Sequence, residues 1–153
     1  MTLVSSELVE GMNQLLQVLT TALQQLRVHR AKTRVWGYQR LHELLTAQSS
    51  KISDFQDALL TRLLVMDAHV DLQNVGRLRI GQTVEDILAS ERGLALESVQ
   101  LCQRLHEMTR LDVATRVLLE KIALAEDERL QSYDQSLELI RQLGTPQFLS
   151  TRC

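Results

Sequence analysis

The stretch ALAEDERLQSY, residues 123–133, sets Glu126 and Arg129 three residues apart, on one face of what reads as a helix. In helix bundles that hold two metal ions between carboxylates, a Glu and a His at this spacing each donate to metal. A guanidinium offers only N–H donors and has no lone pair to give, so Arg129 cannot take the place of that imidazole as a ligand. It can instead neutralise a carboxylate that is denied water. Spacing alone favours a solvated surface pair, since exposed pairs are common.

The other residues able to do chemistry form no second constellation. No two of His29, His42, His69 and His106 stand three or four positions apart, and each reads as a surface or hydrogen-bonded residue rather than a ligand. Cys102 and Cys153 have no metal or redox spacing and read as reduced thiols of a cytosolic protein. Met66 and Met108 read as core or gap-filling residues. There is no glycine-rich phosphate loop, no Gly-x-Ser-x-Gly elbow and no Cys/His nucleophile arrangement. An enzyme reading survives only if further ligands join Glu126.

The elements that must position this pair are helices. The 153 residues include one proline and six glycines, a sparse supply of breakers for a chain long enough for one full core. Seventeen Lys+Arg against nineteen Asp+Glu give a net charge of -2, without the clustered basic stripe of a nucleic-acid or membrane-surface binder. No apolar run approaches the roughly 18 residues of a membrane span, and MTLVSSELVEG lacks the basic start of a signal peptide. The expectation is a soluble cytoplasmic protein with one domain over 1–153.

Leu8, Met12, Leu15, Leu16, Leu19, Leu23 and Leu26 keep three-and-four spacing and predict a first helix, capped near Ser5–Ser6 and ending before Trp36–Gly37. A second helix takes Leu41, Leu44, Leu45, Ile52, Phe55, Leu59, Leu63 and Met66 and runs to about Val70. The segment 71–82, DLQNVGRLRIGQ, loses the period and is too long for a hairpin, so it predicts a crossover along the bundle. Thr83 offers an N-cap with Asp86 three residues on, opening a third helix through Val84, Ile87, Leu88, Leu94, Val99, Leu101 and Leu105. Asp112 caps a fourth, whose stripe is Val113, Val117, Leu118, Ile122, Leu130, Leu137 and Ile140. Gly144 stops it, and Thr145–Pro146 reads as N-cap and first position of a short fifth helix over Gln147–Thr151. Four long helices with one central crossover describe an all-α bundle of the ferritin-like kind.

The segment DLQNVGRLRIGQTVEDIL (71–88) resembles the bacterioferritins, and VWGYQRLHELL (35–45) and LELIRQLGTPQFL (137–149) support the likeness, which covers nearly the whole chain. A two-residue shortening falls around Leu105–Arg110. The resemblance implies an iron-storing shell of about 24 subunits. It also implies a di-iron ferroxidase site inside each catalytic bundle, and a haem b held across a two-fold interface by one methionine from each partner.

Carried over position by position, the ligand set is mostly gone. The glutamate of the first helix falls at Leu19. The first Glu-x-x-His falls at Ile52 and Phe55, and the third helix's glutamate falls at Ala95. Of the last Glu-x-x-His only Glu126 remains, with Arg129 at the histidine position, and the haem methionine falls at Ser53. Asp54 and Asp57 lie near the lost ligands, but Ile52, Phe55 and Leu59 claim the core face, so the aspartates should point outward. Glu126 is thus the one retained metal-type ligand, expected to be paired with Arg129 in a plugged site. His29 matches a histidine common in the family, with a structural or pore-lining role open.

These losses lead to the expectation of a non-catalytic iron-storage subunit, co-assembling with a second, ferroxidase-competent bacterioferritin-type subunit. Haem b is expected only at a mixed two-fold interface and none from this chain alone, while iron mineral fills the shell. The alternatives are a homo-oligomeric shell loading iron without its own centre, or a structural bundle that handles no iron. By the same resemblance, the iron-attracting interior positions of the second helix fall at Ala47 and Lys51, which weakens the homo-oligomeric alternative.

Overall fold

In a computed structural model, which describes residues 5–152, the chain is all-α. Helix α1 spans Ser6–Trp36 and α2 spans Gln39–Val65; an extended crossover comes next. Then come α3 (Val84–His106), a 3-10 turn (Glu107–Thr109), α4 (Val113–Leu143) and α5 (Thr145–Arg152). The short links α1–α2 and α3–α4 make each pair antiparallel, and the crossover joins the pairs.

Helix ends obey local chemistry. Ser5 Oγ accepts from the Leu8 N–H, Thr83 Oγ1 from Asp86 N–H and Asp112 Oδ1 from Thr115 N–H, which fills donors left open in three first turns. α1 runs through Trp36 rather than stopping before it. Gly37, at φ 84°, then closes the helix, with its own N–H on Arg34 O and the Tyr38 N–H on Thr33 O.

Four further expectations need correction. α2 ends at Val65, not near Val70, because Asp67 adopts φ 55° and makes a glycine-free C-terminal cap, with the Ala68 N–H bonded to Leu63 O. Thr145 is already inside α5, and Gly144 stands at its start, its carbonyl accepting from Phe148 N–H. On α4, Val113 and Val117 are 59% and 38% exposed; the buried face is Thr115, Leu119, Ile122, Glu126, Arg129, Tyr133, Ser136 and Ile140. The stripe slips because polar side chains, invisible to a hydrophobic count, hold four of those places. Met108 is likewise 44% exposed on the 3-10 turn and fills no core gap. Met66 does pack against the core.

The crossover has no strand partner, so its backbone groups must find side chains or water. α1 supplies them from one stripe. Asn13 Oδ1 accepts from Asp71 N–H (2.8 Å), Thr21 Oγ1 from Gly76 (2.7 Å), Gln25 Oε1 from Arg79 (2.8 Å) and His29 Nε2 from Gly81 (3.0 Å). Lys32 Nζ closes the series by donating to Gly81 O. The segment lies tight against the bundle: a Cβ on Gly81 would sit 2.4 Å from Ile87 N, and one on Gly76 3.0 Å from Thr21 Oγ1.

Candidate functional site

Helix α4 points Glu126, Arg129 and Tyr133 inward on successive turns, and all three are buried. Glu126 and Arg129 are 2% and 5% exposed, so the pair belongs to the interior and not to a solvated face. The guanidinium holds the carboxylate with two bonds, Nε to Oε2 at 2.7 Å and Nη2 to Oε1 at 3.1 Å, the planar fork that arginine makes and lysine cannot. Its remaining nitrogen, Nη1, donates to Tyr133 Oη at 3.2 Å and lies 3.4 Å from Glu91 Oε1. The cation also sits 5.5 Å from the centre of the Tyr133 ring.

Glu91 was not among the sequence candidates, yet it is fully buried on α3. Its Oε2 accepts from Gln25 Nε2 (3.0 Å) and from His29 Nδ1 (2.7 Å). Because the Gly81 N–H already donates to His29 Nε2, the ring proton belongs on Nδ1, where it faces the carboxylate. Tyr133 Oη donates to Gln48 Oε1 on α2. A continuous polar chain therefore runs from α2 through α4 and α3 to α1 and the crossover. One signal could have found Glu91: it lies four residues beyond Ile87 and four before Ala95, a charge set in an apolar stripe.

Electrostatics are set by enclosure. Burial opposes the charge on Arg129, but Tyr133 and the carboxylates of Glu126 and Glu91 outweigh it, and the guanidinium stays protonated well above its ordinary range. Burial pushes the Tyr133 phenol up, with Arg129 pulling it back only in part. The Cys102 thiol is pushed up to about 12, by burial first and by the Glu126 charge second. It is buried and inert, while Cys153 lies outside the described residues.

Around this cluster, Leu19, Ile52 and Ala95 are buried core residues, and Phe55 packs half-buried against them. Asp54 and Asp57 are exposed. These donors do not suit two divalent ions. Both oxygens of Glu126 accept from Arg129, both of Glu91 have N–H partners, and neither nitrogen of His29 is free. Among the described residues no three His, Cys, Asp or Glu side chains group closely enough to hold a metal ion. A pocket of about 220 Å³ between α2 and α4, walled by Ala47, Ile52 and Phe55, reaches the pair from outside, with Lys51 in its lining.

The remaining histidines lie elsewhere: His42 Nδ1 faces Arg30 O at 2.9 Å, His106 pairs with Glu120 at 2.9 Å, and His69 is exposed beside Asn13. Ser53 stands apart from the interior cluster, in a groove of about 520 Å³ between α1 and α2. Thr20, Gln24, Thr46, Ser49 and Gln56 line it with Leu23 as the one apolar side chain, and the lining includes no Met, His, Cys or Tyr. A porphyrin needs apolar faces and an axial donor. The lining of this groove fits neither need.

The profile of the ferritin-like domain family matches residues 9–143. Bacterioferritin of Streptomyces coelicolor is 26% identical over 147 residues, covering 95% of this chain and 88% of its own. Bacterioferritin of Mycobacterium leprae is 28% identical over 144 residues (93% and 90%), and that of Brucella melitensis 24% over 149 residues (93% and 89%).

Proposed function

Since the chain belongs to the ferritin-like domain family, with bacterioferritins as curated relatives, we propose that it is an iron-storage shell subunit with a plugged ferroxidase site. It builds wall and leaves oxidation of Fe(II) to a second, ferroxidase-competent subunit in a mixed shell of about 24 copies. The observation that carries this reading is the two-bond grip of Arg129 on Glu126 at the middle of the bundle. Two divalent ions there would need several inward carboxylates and imidazoles to balance and complete their shells. Here one guanidinium supplies the positive charge, and Leu19, Ile52 and Ala95 fill ligand positions with apolar groups.

The same reading covers haem. With Ser53 at the axial position and hydroxyl and amide walls around it, this chain brings no donor to a two-fold interface. Haem b at a mixed interface would depend on the partner's methionine alone. Mineral would grow in the shared interior on carboxylates that the second subunit provides, since Ala47 and Lys51 line the pocket leading to Glu126 in this one.

Stopped-flow mixing of Fe(II) and oxygen with the pure protein tests the proposal. The expected result is slow oxidation with no saturable burst, and a burst that returns after co-expression with a catalytic subunit in a particle of shell size. A fast phase of about two irons per subunit from the pure protein would overturn it. A monomer or dimer under every condition would favour a structural bundle that handles no iron.

A further inference from the structure

Four buried side chains, Arg129, Glu91, Gln25 and His29, form a relay that ends on the crossover. Glu91 presents one oxygen, Oε2, to two donors from α1: Gln25 Nε2 at 3.0 Å and His29 Nδ1 at 2.7 Å. Each of those residues uses its other end on the crossover backbone, Gln25 Oε1 accepting from the Arg79 N–H and His29 Nε2 from the Gly81 N–H. Both side chains are ambivalent. An amide can exchange the places of its oxygen and nitrogen, and a neutral imidazole can carry its proton on either nitrogen. A backbone N–H only donates and a carboxylate only accepts, so a single arrangement of Gln25 and His29 satisfies both ends. The other oxygen of Glu91 faces Arg129 Nη1 at 3.4 Å, a group that has no accepting form. Gln25, His29 and Glu91 are at most 1% exposed, so these contacts are complete within one chain.

We infer that Glu91 is the positioning residue of the crossover: its acceptor-only carboxylate, set against Arg129, orients Gln25 and His29 so that both offer a lone pair to the backbone of that segment. The stretch held this way leads directly into α3. Gly81 also gives its carbonyl to Lys32 Nζ at 2.7 Å, and a Cβ added there would stand 2.4 Å from Ile87 N. A carboxylate on α3 thus fixes, through α1, the path by which the chain enters α3. The first half of the crossover does not depend on it: Asn13 and Thr21 hold the Asp71 and Gly76 amides, and their own side-chain donors go to Val9 O, His69 O and Gln17 O. The relay needs only the donors of Arg129, and stands whether or not the site beside it is a plugged ferroxidase centre.

Amide hydrogen exchange of the full-length protein, read residue by residue by mass spectrometry, tests this. In Glu91→Gln the new side chain has one accepting end. Arg129 claims it, so the amide nitrogen turns toward Gln25 and His29, and donors then meet at Arg79 and Gly81. Exchange at those two amides should quicken about tenfold, while Asp71 and Gly76 keep their rates. Glu91→Asp keeps an acceptor-only group on a shorter stem and should give a smaller rise at the same two amides. Adding Arg129→Met and Glu126→Gln to Glu91→Gln removes the competing donors, lets the amide oxygen turn back, and should restore slow exchange at Arg79 and Gly81. Unchanged exchange at Arg79 and Gly81 in Glu91→Gln overturns the inference. So does a rise shared equally by all four amides, which would leave Glu91 a general support of the fold. A rise in Glu91→Asp as large as in Glu91→Gln, or no recovery in the triple variant, overturns it as well. If Glu91→Gln does not fold, Glu91→Asp carries the test alone: a rise confined to Arg79 and Gly81 supports the inference, and any other pattern overturns it.

Discussion

The bundle interior and the α1–α2 groove both carry charged and polar side chains, and the fold treats them differently. In the interior, each charged group that remains has its counter-group within the chain: Glu126 on Arg129, Glu91 on Arg129, Gln25 and His29, and Tyr133 on Gln48. In the groove, arginines and serines stand without internal partners. The difference is water. A charge sealed from solvent costs several kcal/mol unless paired, so a buried carboxylate needs its guanidinium. Polar side chains along an open groove have solvent to complete them and need no such partner.

The contrast between the two regions is sharpest at Arg129. Arg129→Met leaves Glu126 and Glu91 buried without a cation and should destabilise the fold by about 3–5 kcal/mol, read from the denaturant midpoint. Adding Glu126→Gln and Glu91→Gln should recover much of that loss, since a neutral interior has less to compensate. If the single variant were as stable as the unmodified protein, the interior would not be sealed and the contrast with the groove would vanish.

A smaller effect is expected at the far end of the same polar chain. Gly81→Ala would drive a Cβ against the α3 backbone and lift the Gly81 N–H from His29. The expected cost is about 1–3 kcal/mol, with faster amide exchange at Asp71, Gly76, Arg79 and Gly81 than at core helix amides. Unchanged exchange would mean that α1 does not hold the crossover.

The smallest effect concerns a half-exposed pair that resembles the groove more than the interior. Partial burial of Asp112 works to raise its pKa, but the Thr115 hydroxyl and N–H, with Arg62, outweigh it and hold the carboxyl below the ordinary aspartate range. A lowered folded-state pKa contributes stability that is present above the unfolded value and lost as pH falls through the folded one. Acid titration of thermal stability should therefore show a loss below about pH 4 that Asp112→Asn removes, while Asp112→Ala costs about 1 kcal/mol at neutral pH through the lost cap.

How much of this was legible in the sequence depends on the kind of signal. Apolar spacing placed the helices, because a stripe at three-and-four intervals is a local property of the chain. It misjudged α4, where Thr115, Glu126, Arg129 and Ser136 occupy core positions that a hydrophobic count passes over. It overran α2, since Asp67 caps that helix without the glycine or proline that would have marked the stop. Glu126 and Arg129 were visible as a pair, but their spacing suits a surface as well as a core.

By itself the sequence determined an all-α bundle with a central crossover, and it set Glu126 and Arg129 three residues apart on one face of its fourth helix. Only the tertiary structure decided that Glu126 and Arg129 are enclosed, that Glu91 and His29 join them from other helices, and that Ser53 faces a polar groove. Periodicity reports the face of a helix, whereas burial and charge pairing depend on what the neighbouring helices bring to that face.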